Sequence, residues 1–323
     1  MKWNNPKLDY RVNLDKVELE FIVPTENLET LKNGYSFDGI EASPSMTTTP
    51  NYETTLDLYF RYKSFNLLIP SNLTYIGKMY FGTKVQYRQN VYIMLDNKLL
   101  YKNDGMLKSY LTDIENFVVS LSGHFSKIMK LEIAFDCPVD LIERYETLTQ
   151  TPTPQIMYKG KPKNCRFAFN GKVLRQQADN NFLVIRASGS TENPYKTKTI
   201  YIKGKFFKKH PKSEIKIYNK SKEVYRNGNQ KTYILDYFLS KSNYVFRFEV
   251  SITSPYYLKQ YFEELWRSVP NYKNFLCSPV ALSEMLEYVS CKLFSTIITY
   301  NHDTIKFDFL ELLNNDSIIC NQI

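Results

Sequence analysis

The strongest constraint in this sequence is a set of segments that alternate apolar and polar residues with period two, the polar positions of three of them carrying charge. In KLEIAFD, Lys130 to Asp136, one side holds Leu131, Ile133 and Phe135, and the other Lys130, Glu132, Ala134 and Asp136. In EIKIYNK, Ile215 and Ile217 oppose Lys216, Tyr218 and Lys220. In VFRFEVSI, Phe246, Phe248, Val250 and Ile252 oppose Arg247, Glu249 and Ser251. Successive side chains of a strand point to opposite faces, so each segment is a strand with one oily and one charged side. An antiparallel sheet with one face on a core and the other open has this pattern. CRFAFN (Cys165 to Asn170) and KTIYIKGK (Lys198 to Lys205) read as further strands.

The remainder supports an α+β chain. Strand signals occur at Val17–Val23, Leu56–Tyr62 and Val91–Leu95, and Leu107, Leu111, Ile114, Phe117 and Val118 recur at helical spacing. From Tyr256 the character changes. Two helical patterns flank Pro270 and Pro279, and the residues from Thr304 on read as one more helix. The expected organisation is a strand-rich unit over 1–255 and a helical C-terminal unit over 256–323. With 43% hydrophobic residues, the 323-residue chain is able to bury a core.

Charge is concentrated. Between Tyr195 and Lys231 stand eleven lysines and one arginine against Glu214 and Glu223, a net of +10, so the rest of the chain, given the total of +9, is near −1. A basic hairpin is one reading. A surface that neutralises phosphates is the other, and Tyr201, Phe206, Phe207, Tyr218 and Tyr225 interleave with the cations as stacking bases require. The five cysteines are odd in number and include no CxxC pair, which argues against a disulfide framework or a zinc module. The start, MKWNNPKLDY, lacks the apolar run of a signal peptide, and no stretch approaches the roughly 18–20 apolar residues of a membrane span, so a cytoplasmic protein is expected.

If the charged strands are neighbours, Glu132, Asp136 and Glu249 converge. Carboxylates brought together need a cation or lysines to offset their repulsion, and an all-oxygen set suits a hard divalent ion such as Mg²⁺ or Mn²⁺.

KLEIAFD, the pair TIYIKGK and EIKIYNKSKE, and FRFEVSI resemble, in that order, the acidic strand, the tyrosine-lysine strand pair and the R-x-E strand of rolling-circle replication initiators of the Rep_trans and filamentous-phage gene II/X type. IGKMYFG resembles the region upstream of the first strand, and the likeness covers roughly Ile76 to Ile252. The resemblance implies a five-stranded antiparallel sheet with helices on one face, related to the HUH nucleases. It implies that 1–255 is a DNA-nicking domain whose N-terminal part contributes to origin binding. In such enzymes a tyrosine attacks one phosphodiester of single-stranded origin DNA, leaving a 5′-phosphotyrosine and a 3′-OH primer, with Mg²⁺ or Mn²⁺ assisting. Host helicase and replication machinery would be partners.

By match to those motifs, Tyr218 is the candidate nucleophile and Lys220 its lysine. Glu132, Asp136 and Glu249 are candidate metal ligands. Tyr225, seven residues on, competes as nucleophile, because that tyrosine often stands on a helix in HUH-type enzymes. Lys203, Lys205, Lys208, Lys209, Lys216, Lys222 and Arg247 are expected on the DNA. The sequence departs from the family in KGK, Lys203 to Lys205, where G-S-R is usual, and in having no His-x-His pair. The C-terminal helices are expected to pack on the sheet or on a second copy in a homodimer. The rival readings are a single-stranded nucleic-acid-binding module without catalysis, a conjugative relaxase or transposase of related chemistry, and a structural or interaction protein whose alternating strands only build a sandwich.

Overall fold

A computed structural model describes residues 10–47, 51–61, 73–83, 89–101, 106–144, 155–158, 161–164, 182–188, 199–205, 213–226, 228, 231–238, 244–294, 297–300 and 303–306. The strands are β1 (Arg11–Ile22), β2 (Tyr35–Phe37), β3 (Ile40–Pro44), β4 (Tyr52–Arg61), β5 (Leu73–Thr83), β6 (Asn90–Leu95), β7 (His124–Cys137), β8 (Gln155–Tyr158), β9 (Lys161–Asn164), β10 (Phe182–Ser188), β11 (Thr199–Lys205), β12 (Ser213–Asn219), β13 (Phe246–Ile252), β14 (Ile297–Tyr300) and β15 (Asp303–Lys306). The helices are α1 (Thr25–Lys32), α2 (Asn97–Tyr101), α3 (Leu107–Val119), α4 (Lys220–Arg226), α5 (Pro255–Trp266), α6 (Tyr272–Leu276) and α7 (Pro279–Phe294), with a 3-10 turn at Thr232–Ile234.

The α+β class holds, but the sheet is larger than five strands. Among the described residues it has eleven, in the order β10-β11-β12-β13-β7-β1-β6-β5-β4-β3-β2, with every pairing antiparallel. The physical reason is the N-terminal third. Its β2 to β6 form a meander that pairs through β6 onto β1, and β1 pairs with β7 along almost its whole length. The two long central strands thus join an N-terminal meander to a C-terminal one, β10 to β13. The expected Cys165–Asn170 strand lies outside the described residues. The segment at the C-terminus departs from expectation: residues 303–306 are strand β15, not helix, and β15 pairs with β14, which pairs with β8 in a separate four-stranded sheet.

Strand parity sorts the two faces as the alternation demands. Leu131, Ile133, Phe135, Ile215, Ile217, Phe248 and Val250 are each fully buried in the main core. Leu107, Leu111, Ile114 and Phe117 of α3 join that core, as do Leu258 and Phe262 of α5, Phe275 of α6, and Met285, Leu286 and Val289 of α7. The C-terminal helices therefore share one core with the sheet. Each such side chain contributes roughly 1.5–3 kcal/mol through removal from water, which fixes the register: a one-residue slip would turn the whole apolar set outward. Pro at the first turn and a left-handed Arg267 at the end bound α5, while Asn271 caps α6 by accepting from the Lys273 and Asn274 amides.

The opposite face was expected to be open. One end of it is closed. All seven residues of β13 are buried, the polar ones included, and at the Arg247 end Tyr101 of α2 lies against the guanidinium.

Candidate active site

The polar face has its richest chemistry where β12, β13, β7 and β1 lie side by side. The register sets Tyr218 opposite Arg247, Lys216 opposite Glu249, Arg247 opposite Asp136 and Ser251 opposite Glu132. Three of these strands, β12, β13 and β7, thus bring one tyrosine, two basic residues and three carboxylates onto a shared surface.

Two acid–base arrangements form there, and they differ. In the first, Arg247 is completely buried and holds Asp136 through two parallel bonds, Nε to Oδ1 at 2.6 Å and NH2 to Oδ2 at 2.7 Å. It also donates to Asp15 and to the Tyr101 hydroxyl. Burial opposes the charge on Arg247, but Asp136, Tyr101 and Asp15 together hold its pKa well above the usual value. This is a closed clamp. Two expectations fail here. Arg247 does not reach DNA, because none of its surface is exposed, and Asp136 is committed to the guanidinium and does not join the carboxylate cluster.

In the second arrangement, Glu249, Glu132 and Asp15 converge, each with a carboxylate oxygen within 4.8 Å of the other two. Ser251 donates to Glu132 at 3.1 Å, and Lys130 pairs with Glu132 at 2.6 Å. Lys216 pairs with Glu249 Oε1 at 2.7 Å, and Tyr218 donates its hydroxyl to Glu249 Oε2 at 3.0 Å. Burial and the nearby Asp15 charge raise the Glu249 pKa, against the opposing pull of Lys216. Lys216 and Lys130 keep about a quarter of their side chains exposed, at 27% and 24%, so solvent reaches the lysine rim of this group while Glu249 and Glu132 lie buried behind it. Lys216 is engaged by Glu249, which puts it inside the site rather than on a free DNA-contacting rim.

Asp15 takes the place expected for Asp136. It is the extra residue of a β-bulge: Leu14 pairs with Ile133 and Lys16 with Glu132, leaving Asp15 between them. A bulge re-aims a side chain, here onto the polar face beside Lys16. Asn97 Nδ2 anchors the bulge by donating to the Asp15 carbonyl at 2.6 Å and to its carboxylate at 3.2 Å, and Tyr233 donates to Asn97 Oδ1 at 2.6 Å. Burial would raise the Asp15 pKa, but Arg247, with Lys220 and Lys231, holds it well below the usual carboxylate range. The sequence carried a signal for this. The apolar phase slips from Leu14 to Val17, which an uninterrupted strand does not do. Asn97, Tyr101 and Tyr233 had no motif to reveal them.

Tyr218 is 9% exposed. Burial first and Glu249 second raise its pKa well above 10, outweighing Arg247. The flanking lysines do not favour the phenolate, because Lys216 is neutralised by Glu249, and the tyrosine is held as a phenol. Lys220 lies with Nζ 5.5 Å from the centre of the Tyr218 ring and is paired with Glu223. Burial and then Arg247 lower its pKa, and at 1% exposure it is an interior group. Tyr225 does stand on the helix after the strand, α4, and is 55% exposed. Lys222 is exposed on the same helix. Lys203 and Lys205 occupy β11 at register positions opposite Glu214 and Phe182. Lys208 and Lys209 lie outside the described residues.

Among the described residues, no helix is long and apolar enough to cross a membrane. No protein-family model matches this chain, and neither does any curated protein.

Proposed function

We propose that the chain nicks single-stranded origin DNA as a replication initiator, with Tyr218 as nucleophile. One observation carries the reading: the Tyr218 hydroxyl donates at 3.0 Å to Glu249, a carboxylate of the cluster that also includes Glu132 and Asp15. A nucleophile, its base and a group of acids are then in one place, as phosphoryl transfer requires.

In this mechanism Tyr218 waits as a phenol. As its oxygen bonds to phosphorus, the proton passes to Glu249, whose affinity for it is raised by burial. The P–O3′ bond breaks, its electron pair stays on the 3′ oxygen, and that oxygen takes up a proton from solvent water to become the primer hydroxyl. The 5′ phosphate remains on the tyrosine. Lys216 and Lys130, at the solvent side of the cluster, offset the charge that the phosphate brings. The donor set, three carboxylates with oxygens within 4.8 Å, fits a hard divalent cation. Asp15 and Glu132 would hold Mg²⁺ or Mn²⁺, with Asp15 in the place expected for Asp136, and Glu249 stays beside them as the proton acceptor. Bound there, the ion would polarise the phosphate oxygen. Arg247 acts at one remove, by holding Asp15 and Asp136 in place.

The test is a labelled single-stranded origin oligonucleotide incubated with the protein and Mg²⁺ or Mn²⁺. A covalent adduct should form, chelation should prevent it, and Tyr218→Phe should abolish it. An adduct that persists in Tyr218→Phe removes Tyr218 as nucleophile and leaves Tyr225 as the alternative. Binding of the oligonucleotide with no adduct under any metal favours the non-catalytic binding module.

A further inference from the structure

Over the closed end of the polar face sits a small apolar cluster separate from the main core, made by Val224, Leu235, Phe238 and Val245. It is fastened to the candidate site at several points. The Val245 carbonyl accepts from the amides of Lys220 and Ser221 at 2.8 and 3.2 Å, and the Val245 amide donates to Ser221 Oγ at 2.8 Å. Tyr233 reaches Asn97, the anchor of Asp15. The position of this satellite is therefore tied to that of Tyr218.

Tyr237 is 43% and Tyr244 57% exposed, each next to a residue of the buried cluster. Arg11 stands between two rings, 5.8 Å from the centre of Tyr101 and 5.6 Å from that of Tyr237. Because Tyr101 also contacts Arg247, alternating rings and guanidinium groups run from the buried clamp out to Tyr237. Lys222 and Arg226 of α4 are exposed, and Lys231 is half-buried. Exposed rings interleaved with cations are what single-stranded nucleic acid needs: faces for unpaired bases and charge for the phosphates.

We propose that Tyr237 and Tyr244 form a stacking platform for unpaired bases of single-stranded DNA, with Arg11, Lys222 and Arg226 tracking its backbone toward Tyr218. The direction of the strand rests on the nicking reading above; the platform itself does not need cleavage.

The experiment is fluorescence anisotropy of a labelled single-stranded oligonucleotide, and of the same sequence as duplex, with the full chain. Tyr237→Ala and Tyr244→Ala should each weaken single-strand binding about tenfold, as loss of a stacked base does. The corresponding Phe variants should stay within about threefold, since they keep the ring. The dependence on salt should not change, because no charge is removed, and duplex binding should be unaffected. Alanine variants that bind single strands as the wild type does overturn the proposal, and so does an equal loss on duplex. Tyr218→Phe in the same assay separates the two readings. If it binds normally and forms no adduct while the alanine variants bind like wild type, only the platform falls. If it still forms the adduct while the alanine variants lose single-strand affinity, only the nucleophile assignment falls.

Discussion

Asp136 with Arg247 and Glu132 with Glu249 lie on the same two strands and the same face, yet they are opposites. The first is a matched acid and base with two parallel hydrogen bonds and no exposure. The second is like-charged, shares its neighbourhood with Asp15, and relies on half-buried Lys130 and Lys216 for compensation. A charge whose partner is fully committed is structural. A charge that is crowded by its own kind, behind a rim of half-exposed lysines, is available to a ligand. The clamp is a stabilising pair, and the cluster is the part proposed to take a ligand.

The sharpest way to break it is to unpair the clamp. Arg247→Ala should destabilise the protein by about 3–5 kcal/mol, the usual result of leaving a buried charge unmatched, read as a shift in the midpoint of urea unfolding. Glu132→Gln should cost only about 1 kcal/mol in the same assay, because it removes one of three crowded carboxylates and leaves behind Lys130, which keeps contact with solvent, while lowering adduct formation more than tenfold. If the two variants destabilise equally, the division into clamp and cluster is wrong.

A smaller effect separates the two by pH. Asp15 bridges both groups and has a depressed pKa in the folded state. Its contribution to stability is present above the ordinary aspartate value near ~3.9 and is lost as pH falls through the depressed one, so acid should unfold the wild type more steeply than Asp15→Asn. Glu249 moves the other way. Its pKa is raised, and as a base it works only when ionised, so the adduct rate should climb with pH through a value above the usual glutamate range. Glu249→Gln should be slow and flat over that interval. A wild-type rate that falls as pH rises there removes Glu249 as base.

Exposed charge should matter least. Lys222→Ala, on the open side of α4, should leave stability unchanged and weaken single-strand binding modestly, lowering the salt slope by about 0.7. A large loss of stability would mean that Lys222 belongs with the buried groups.

Much of this was legible in the chain. Period-two alternation gave the faces of β7, β12 and β13, because burial of one side leaves a one-residue slip too costly to tolerate. It puts Glu132, Glu249, Lys216 and Tyr218 on the polar faces of their strands. Charge counting located the basic surroundings of Tyr218. What parity does not contain is the choice of partner. Arg247 and Glu249 both stand on the polar face of β13, two residues apart, and nothing local says that one finds Asp136 while the other joins Glu132. The eleven-strand extent was also hidden, since β2 and β3 are short and weakly patterned.

The sequence by itself determined which residues face the core, which face away, and that a tyrosine shares the second group with acids and lysines. These are local properties, set by side-chain direction and hydrophobicity along single strands. Only the tertiary structure decided that Asp15, more than a hundred residues from Glu132, takes the third carboxylate position, that Asp136 is spent on Arg247, and that a satellite roofs one end of the face. Those outcomes depend on strand order, on a bulge whose register is set against β7, and on burial that raises or lowers the cost of each charge, none of which is encoded within one segment.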